Sequence, residues 1–371
     1  MSRKDKKITL LISSLAGGGS ERICVNIANS FVKNGWKVDL VVLSIKNEVY
    51  ANYLSDNINI FNLKINKARY SIFGLLKYIY KKKPKVLLVF NGELSLLLVI
   101  LRILLRFKIK ILFRNNIIKS YSYKFLKKEN FLKFYMLKVL EKYLYPKLDH
   151  VINQCNSMQE DLNKTYPQLK NNSSVIFNPV SQNIINYVNK SNITKIKKEN
   201  YLLCVGRLEK QKAFDFAIEG FAGIADKFPN LRLKIVGKGS LELDLKQKAI
   251  NCGIEERIDF EGFQRDIIPY YLHAKATILT SLYEGYPNVL IESIAMNTPV
   301  VAFDCPCGPS EIINEGSNGY LVKYQDINDL KKKISDLLIN KFTYKNLENS
   351  IKKNQINYIF KNYEKLINSF Y

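Results

Sequence analysis

Short runs rich in Val, Ile and Leu alternate with longer helical patterns along this 371-residue chain, and that alternation limits the fold more than any other feature. A strand, a helix and another strand in succession make a parallel sheet, because the helix must carry the chain back over the sheet before the next strand can pair. In the first half the runs predict strands over Lys7–Ser13, Val38–Leu43, Val86–Phe90, Ile109–Phe113 and His150–Asn153, with a first helix over Ser20–Asn34 that Gly35 stops. The pattern lapses over Val180–Asn200, which is polar and rich in Asn and Lys, and then restarts. Strands are expected again at Tyr201–Val205, Leu231–Val236, Ile258–Glu261, Ala276–Thr280 and Val300–Phe303. The length is generous for one domain and comfortable for two. The reading is therefore a basic N-terminal domain over residues 1–180, a linker over 181–200, a second domain over 201–350 and a last helix over 351–371 returning to the first.

Charge divides the same way. The formal net charge is +24; residues 1–180 hold 31 Lys and Arg against 11 Asp and Glu, and the remainder 26 against 22. A field concentrated on one half can gather an anionic partner, whether nucleic acid, a lipid surface or a phosphorylated substrate, or it can simply solubilise. The six cysteines show no paired metal-ligand spacing and the two histidines, His150 and His273, are far apart, so no metal site is expected. The N-terminus has no apolar core followed by small residues, which points to a cytoplasmic protein with free thiols. The most apolar stretch, Val86–Leu105, is interrupted by Asn91, Glu93 and Arg102, and reads as a buried strand followed by a helix rather than a membrane span.

Three pieces of the second half carry chemistry together. The first, Gly206-Arg207-Leu208-Glu209-Lys210-Gln211-Lys212, follows a strand; Gly206 lets backbone approach a ligand, and Arg207 with Lys212 suits a diphosphate. The second runs from Ser281 through Glu284, Gly285, Tyr286, Pro287, Asn288, Val289 and Leu290 to Glu292, a strand end turning into a helix. Its backbone amides around Pro287 to Leu290, proline itself donating none, form an expected anion cradle, and its two carboxylates can face the C-terminal edge of the sheet, where doubly wound folds bind ligands. The third, Thr298–Ile313, is another strand with a polar, glycine-containing exit able to close a pocket. Taken alone, two glutamates eight residues apart are ordinary helix-end and surface charges, and Gly17-Gly18-Gly19 an ordinary strand-to-helix turn. Gly237-Lys238-Gly239 reads as a turn, since it lacks the spacing of a phosphate loop.

The strings GRLEKQKAFD, VGKGSL, FEGF, SLYEGYPNVLIESIAMNTPVVA and CGPSEII resemble glycosyltransferase family 4, retaining enzymes of the GT-B architecture, an α/β fold of two Rossmann-like domains whose parallel sheets face each other across a cleft. The resemblance covers nearly the whole second half; SLAGGGSERICVNIANSFVKNGWKVDLVVL is similar to the family's opening, and ILFRNN and VIFNPV fit members that build capsule, O-antigen or other surface glycans. It implies that Arg207 and Lys212 contact the diphosphate of a nucleotide sugar, that Glu292 meets the ribose and Glu284 the transferred sugar, and that Gly285 and Tyr286 offer backbone to the sugar. It also implies that Gly262 and Phe263 lie near the base, with Asn288, Val289 and Leu290 completing the donor site. Gly17, Gly18 and Gly19 would lie near the reaction centre, where Arg114, Asn115 and Asn116 occupy a plausible strand exit. Where the family has glycine after the lysine of the first piece, this chain has Ala213, which raises a question of local backbone geometry.

Neither histidine is placed to act as a base. The resemblance implies retention by front-face displacement, with a hexose or N-acetylhexosamine moving from a donor, expected to be UDP-linked, to a lipid-diphosphate-linked glycan. The absence of any Asp-x-Asp triplet agrees with catalysis that uses no metal or other cofactor. A sugar-nucleotide epimerase of similar fold is the competing enzyme. A nucleic-acid-binding protein is the non-enzymatic rival, but no helix-turn-helix, zinc-finger or RNA-binding signature appears. Between Arg102 and Lys147, 13 Lys or Arg stand against Glu129 and Glu141, interleaved with Tyr121, Tyr123, Phe125, Phe131, Phe134, Tyr135 and Tyr143. That pattern suits peripheral binding to an anionic membrane, on the inner face of the cytoplasmic membrane. The alternative is that Leu132, Tyr135, Met136, Val139 and Tyr143 form the inward face of an ordinary domain helix.

Overall fold

The computed structural model describes residues 6–45, 49–340, 342 and 344–371; the side chains of residues 125, 126, 128, 129, 133 and 344–346, including Phe125 and Glu129 of the basic segment, lie outside the description. The chain forms two compact units, one of Met1–Pro179 with Ile356–Tyr371 and one of Val180–Gln355. The first holds a parallel sheet of β1 (Lys7–Ile12), β2 (Lys37–Val42), β3 (Ile58–Asn62), β4 (Val86–Val89), β5 (Lys110–Arg114), β6 (His150–Asn153) and β7 (Ser173–Val175), in the order β3-β2-β1-β4-β5-β6-β7. The second holds β8 (Tyr201–Val205), β9 (Arg232–Val236), β10 (Ile258–Gly262), β11 (Ala276–Leu279), β12 (Val300–Phe303) and β13 (Gly319–Val322), in the order β10-β9-β8-β11-β12-β13. Among the described residues all strand pairings in both sheets are parallel.

Helices cover both faces of the first sheet, which explains why its central strands are mostly apolar rather than alternating; the buried Asp39 of β2 is paired with Lys7 Nζ at 3.0 Å. Leu10, Leu40 and Leu88 pack on one face with Ile27 and Phe31 of helix Gly19–Lys33, while Leu11, Val41 and Val89 pack on the other with Leu75 and Val99. The C-terminal helix Ile356–Asn368 joins the first of these layers through Ile359, Phe360, Tyr363 and Ile367, a stripe at helical spacing. Phe360 meets Phe31 edge to face at 5.2 Å.

The sheets contain three strands that the apolar runs did not predict: β3, β7 and β13. Each sits at or next to a sheet edge, is only three to five residues long and lacks a continuous apolar run. Their pairing comes from a neighbouring strand already in place. The expected linker over 181–200 is also corrected. It contains helix Gln182–Lys190, whose Ile184 is buried and which packs against helix Asn288–Ala295, so the segment belongs to the second unit. Val86–Leu105 divides into β4 and helix Gly92–Leu105; among the described residues no helix is long and apolar enough to cross a membrane.

Candidate active site

In each sheet the strand order reverses direction at one point, between β1 and β4 in the first and between β8 and β11 in the second. Connections leave such a point on opposite faces, so the strand exits there are left uncovered and a ligand can enter. In the second unit the exits of β8 and β11 carry the first two of the three sequence pieces. Lys212 Nζ lies 2.6 Å from Glu284 Oε1, both largely buried, so one charged pair ties the two loops. The Leu282 amide donates to the Gln211 carbonyl at 2.8 Å, the Gln211 side chain donates to the Tyr283 carbonyl at 3.0 Å, and Thr280 Oγ1 donates to the Ala213 carbonyl at 2.8 Å. Arg207 stays exposed, held loosely by Gln211 Oε1 at 3.4 Å. Burying a carboxylate is tolerated only with a charge-assisted partner, and Lys212 is that partner for Glu284.

Close approach of backbones builds the floor. A Cβ on Gly237 would lie 1.8 Å from the Gly206 carbonyl oxygen, so only glycine lets the exits of β8 and β9 touch. The third piece closes over the second in the same way: Gly308, at φ +91°, would set a Cβ 2.6 Å from Pro287 and 2.8 Å from the Gly285 carbonyl. Burial and the neighbouring Glu284 carboxylate push the Cys305 thiol far up, keeping it protonated within this cluster. Ala213 adopts the left-handed conformation, φ +46° and ψ +51°, and caps helix Phe214–Ala222. The backbone there has the geometry that glycine accepts without cost and alanine holds at about 1–2 kcal/mol.

Several expected site residues turn inward. Glu292 is 1% exposed, with the Tyr271 hydroxyl donating to it at 3.3 Å. Tyr286 points its ring into the core, where its hydroxyl accepts from Asn354 Nδ2 at 3.0 Å, so only its backbone is available at the loop surface. Leu290 is wholly buried and its amide is used by the Pro287 carbonyl at 3.1 Å, which removes it from the expected anion cradle. Asn288 and Val289 are half-buried at the helix start. Gly262 carries its own backbone link, accepting from the Gly237 amide at 2.8 Å, and Phe263 beside it is 44% exposed. The hydroxyl of Ser281, buried at the exit of β11, has no hydrogen-bond partner among the described residues. Sequence reading gave it no separate role, since a serine at a strand exit is unremarkable until its burial is known.

In the first unit the corresponding exits are held by neutral groups. The Ser13 amide donates to Asn91 Oδ1 at 2.8 Å, and Asn91 Nδ2 donates back to Ser13 Oγ at 3.1 Å. Beside them lies a cavity of about 650 Å³ lined by Ser13, Asn91, Asn116, Lys67, Arg69 and Glu93, among others. Asn116 also donates to Ser20 Oγ at 3.0 Å, next to Gly17, Gly18 and Gly19 at the start of helix Gly19–Lys33. Arg114 and Asn115 are a correction to the expected strand-exit group. Arg114 is fully buried and donates to the Tyr363 hydroxyl at 2.8 Å and to Asn178 Oδ1, while Asn115 donates to Asn153 Oδ1 at 2.9 Å. Strand alternation turns Arg114 into the core, where it ties β5 to the C-terminal helix. Lys67, Arg69 and Ser13 could not have been found from spacing, because more than 50 residues separate Ser13 from the other two.

Neither histidine approaches these loops. His150 is buried against Ser174 Oγ at 2.8 Å and burial lowers its pKa to about 4, whereas His273 lies 3.6 Å from Glu199.

Comparison with known proteins agrees with this architecture. Residues 187–357 match the model for glycosyl transferases group 1, and residues 17–183 that for glycosyltransferase family 4. An uncharacterized glycosyltransferase of Haemophilus influenzae is 30% identical over 90% of this chain and 91% of its own. A Campylobacter jejuni enzyme described as N-acetylgalactosamine-N,N'-diacetylbacillosaminyl-diphospho-undecaprenol 4-alpha-N-acetylgalactosaminyltransferase is 27% identical over 53% of this chain and 52% of its own. Among solved structures, the lipopolysaccharide outer core galactosyltransferase WaaB superposes with a TM-score of 0.71 at 19% identity, covering 98% of this chain and 99% of its own. The Anabaena protein HepE in complex with UDP-glucose gives 0.75 at 16% identity, with 98% and 99% covered. Two Rossmann-like units with parallel sheets, matched along both halves, make this chain a member of the family 4 glycosyltransferases with the GT-B fold.

Proposed function

We propose that the protein transfers a hexose or N-acetylhexosamine from a UDP-linked donor, with retention and without a metal, to a lipid-diphosphate-linked glycan during synthesis of a surface polysaccharide such as capsule or lipopolysaccharide. The observation that carries this reading is the Lys212–Glu284 pair at 2.6 Å, set beside Gly206 with Arg207 still exposed at the same strand exit. The guanidinium and ammonium bind the donor diphosphate and stabilise the charge it gains on leaving, which is the work a metal would otherwise do. Glu284 orients Lys212 and faces the sugar, while Phe263 offers an exposed ring to the base. Glu292, held by Tyr271, receives the ribose hydroxyls when the donor seats.

In this mechanism the acceptor oxygen bonds to the anomeric carbon on the face from which the diphosphate leaves, and the acceptor proton passes to a departing phosphate oxygen. The protein supplies position and field rather than a histidine base. The acceptor enters the cavity beside Ser13, Asn91 and Asn116, where Lys67 and Arg69 meet its phosphates. The UDP-glucose complex of HepE supports the choice of donor, the diphospho-undecaprenol in the Campylobacter enzyme's name supports the lipid-linked acceptor, and WaaB supports the polysaccharide setting. On this reading the enzyme works as a peripheral protein on the inner face of the cytoplasmic membrane.

The test is turnover of a panel of UDP-sugars with thermal stabilisation by UDP measured in parallel. Arg207→Ala, at an exposed position, is expected to lower turnover roughly a hundred- to a thousandfold and to weaken UDP stabilisation with the fold intact. Unchanged turnover and UDP stabilisation would remove the diphosphate from this site. An inverted anomeric centre in the product, read by NMR, would remove the front-face mechanism.

A further inference from the structure

Helix Phe131–Leu144 of the first unit turns Phe134, Glu141 and Leu144 inward. Leu132, Tyr135, Met136, Val139 and Tyr143 are exposed, which overturns the sequence alternative that made them the inward face. A carboxylate on the buried side of a helix is costly unless it is fully bonded, and Glu141 is. Lys119 Nζ lies 3.0 Å from Glu141 Oε1, the two side chains being only 8% and 6% exposed. The Tyr166 hydroxyl donates to Glu141 Oε2 at 3.0 Å and the Tyr123 hydroxyl donates to the same oxygen. Burial, and then the Glu141 charge, push both phenols far up, so they stay protonated and remain donors. The Lys119 ammonium is confined from its other side by the Tyr145 ring, 4.6 Å away at its centre, which itself stacks on Tyr166 at 4.8 Å.

Stability does not account for this pair. Two buried charges gain little or nothing over well-packed apolar side chains of similar volume. Lys119 is also the first residue of helix Lys119–Glu129, where the macrodipole disfavours a cation. That helix start is served already by Asp161 Oδ2, which accepts from the Ser120 amide at 3.2 Å. What the pair does hold is the turn leading out of β5. At the near end Asn115 donates to Asn153 Oδ1 at 2.9 Å, and its carbonyl accepts from Gln154 Nε2 at 3.0 Å. At the far end stands Lys119, tied to Glu141. Between these two anchors Asn116 lines the cavity beside Ser13 and Asn91, while neither Lys119 nor Glu141 does. Asn116 Nδ2 is engaged by Ser20 Oγ at 3.0 Å, which leaves Oδ1 as the oxygen able to accept from a ligand hydroxyl.

We propose that Glu141 and Lys119 are positioning residues for the transfer: their buried pair fixes the turn Asn115–Lys119 so that Asn116 Oδ1 meets a hydroxyl of the acceptor sugar. The inference rests on the reading of this cavity as the acceptor site. An ion pair suits the task because a fully bonded buried charge has one favourable arrangement, whereas apolar contacts tolerate sliding. The acceptor hydroxyl must stand close to the anomeric carbon, so a small drift of Asn116 weakens acceptor binding without disturbing the donor site in the second unit.

The experiment is steady-state transfer from UDP-sugars to farnesyl-diphosphate-linked N-acetylglucosamine and N-acetylgalactosamine, with thermal stabilisation by UDP measured beside it. Lys119→Met combined with Glu141→Gln removes both charges, keeps an oxygen for the two tyrosines and nearly conserves volume. This paired variant is expected to raise the acceptor KM about tenfold, with kcat and UDP stabilisation at wild-type levels. Lys119→Arg, which keeps the charge, should stay near the wild-type KM. In Asn116→Ala, whose own acceptor KM rises, the paired change should add nothing, because both act through one contact. A wild-type acceptor KM in the paired variant, or effects that add in Asn116→Ala, would overturn the positioning role and leave the cavity as the acceptor site. An unchanged acceptor KM in Asn116→Ala itself would overturn both the positioning role and the placing of the acceptor in this cavity.

Discussion

The two strand-order reversals share one topology and differ in chemistry. Between β8 and β11 the loops are joined by a buried charged pair, Lys212 and Glu284, with a further cation, Arg207, at hand. Between β1 and β4 they are joined by a neutral exchange, Ser13 with Asn91, at the edge of a cavity. Under the proposed reading the difference follows from the ligands. A diphosphate leaving group gains charge at the reacting centre and demands cations there, whereas the acceptor reacts through a neutral hydroxyl that asks mainly for hydrogen bonds and room, its phosphates being met separately by Lys67 and Arg69.

The largest expected effect falls on the charged side. Lys212→Ala should lower kcat/KM by roughly a thousandfold, more than any single change at the neutral side, because it removes a cation from the leaving group and leaves the Glu284 carboxylate buried without that partner. Steady-state kinetics with UDP-sugars decide this, and a loss smaller than that of Asn91→Ala would reverse the comparison. Asn91→Ala should cost about tenfold to a hundredfold, appearing in the acceptor KM while UDP stabilisation stays at the wild-type level. A parallel loss of UDP stabilisation would mean that the two reversals are not divided between donor and acceptor.

Acid and alkali should separate the units as well. His150 is held at about 4 in the fold against an ordinary value of 6.5, so its contribution to the first unit is present above pH 6.5 and is lost as the pH falls from about 6.5 towards 4. Lys198, in the second unit, is lowered to about 7 by burial and then by the nearby Lys275; the unfolded chain binds its proton more readily, so this unit should gain stability as pH rises from about 7 towards 10.5. Thermal melts across pH, compared with His150→Gln and Lys198→Met, check both slopes. Unchanged acid sensitivity in His150→Gln would assign that limb to other groups. The smallest effect concerns Ala213, whose left-handed backbone predicts that Ala213→Gly stabilises the second unit by roughly 0.5–1 kcal/mol; a lower melting temperature would show that the buried methyl matters more than the strain.

The charged side was legible in the sequence because its residues lie within short segments, Gly206–Lys212 and Ser281–Glu292, and ionic chemistry narrows the choice of residue at each place. The neutral side was not. Asn91 and Glu93 drew notice only as interruptions of an apolar stretch, Lys67 and Arg69 drew none, and Arg114 and Asn115, expected at a strand exit near the reaction centre, are buried and bonded within the first unit. Serine, asparagine and a surface lysine are common everywhere, so only proximity in space gives them meaning.

By itself the sequence determined the class of fold and ten of the thirteen strands, because a strand buried on both faces must be apolar along its length and a parallel connection needs a helix. It also singled out Arg207, Lys212 and Glu284, which the structure places together at the exits of β8 and β11. Tertiary structure alone decided the edge strands, the absorption of residues 181–200 into the second unit, the burial of Arg114 and Glu292, and the outward turn of Leu132 and Met136. These depend on which side of an element meets a neighbour. An apolar residue on a helix reads the same whether it faces a core or lies exposed, and only the neighbours already packed against the opposite side tell the two apart.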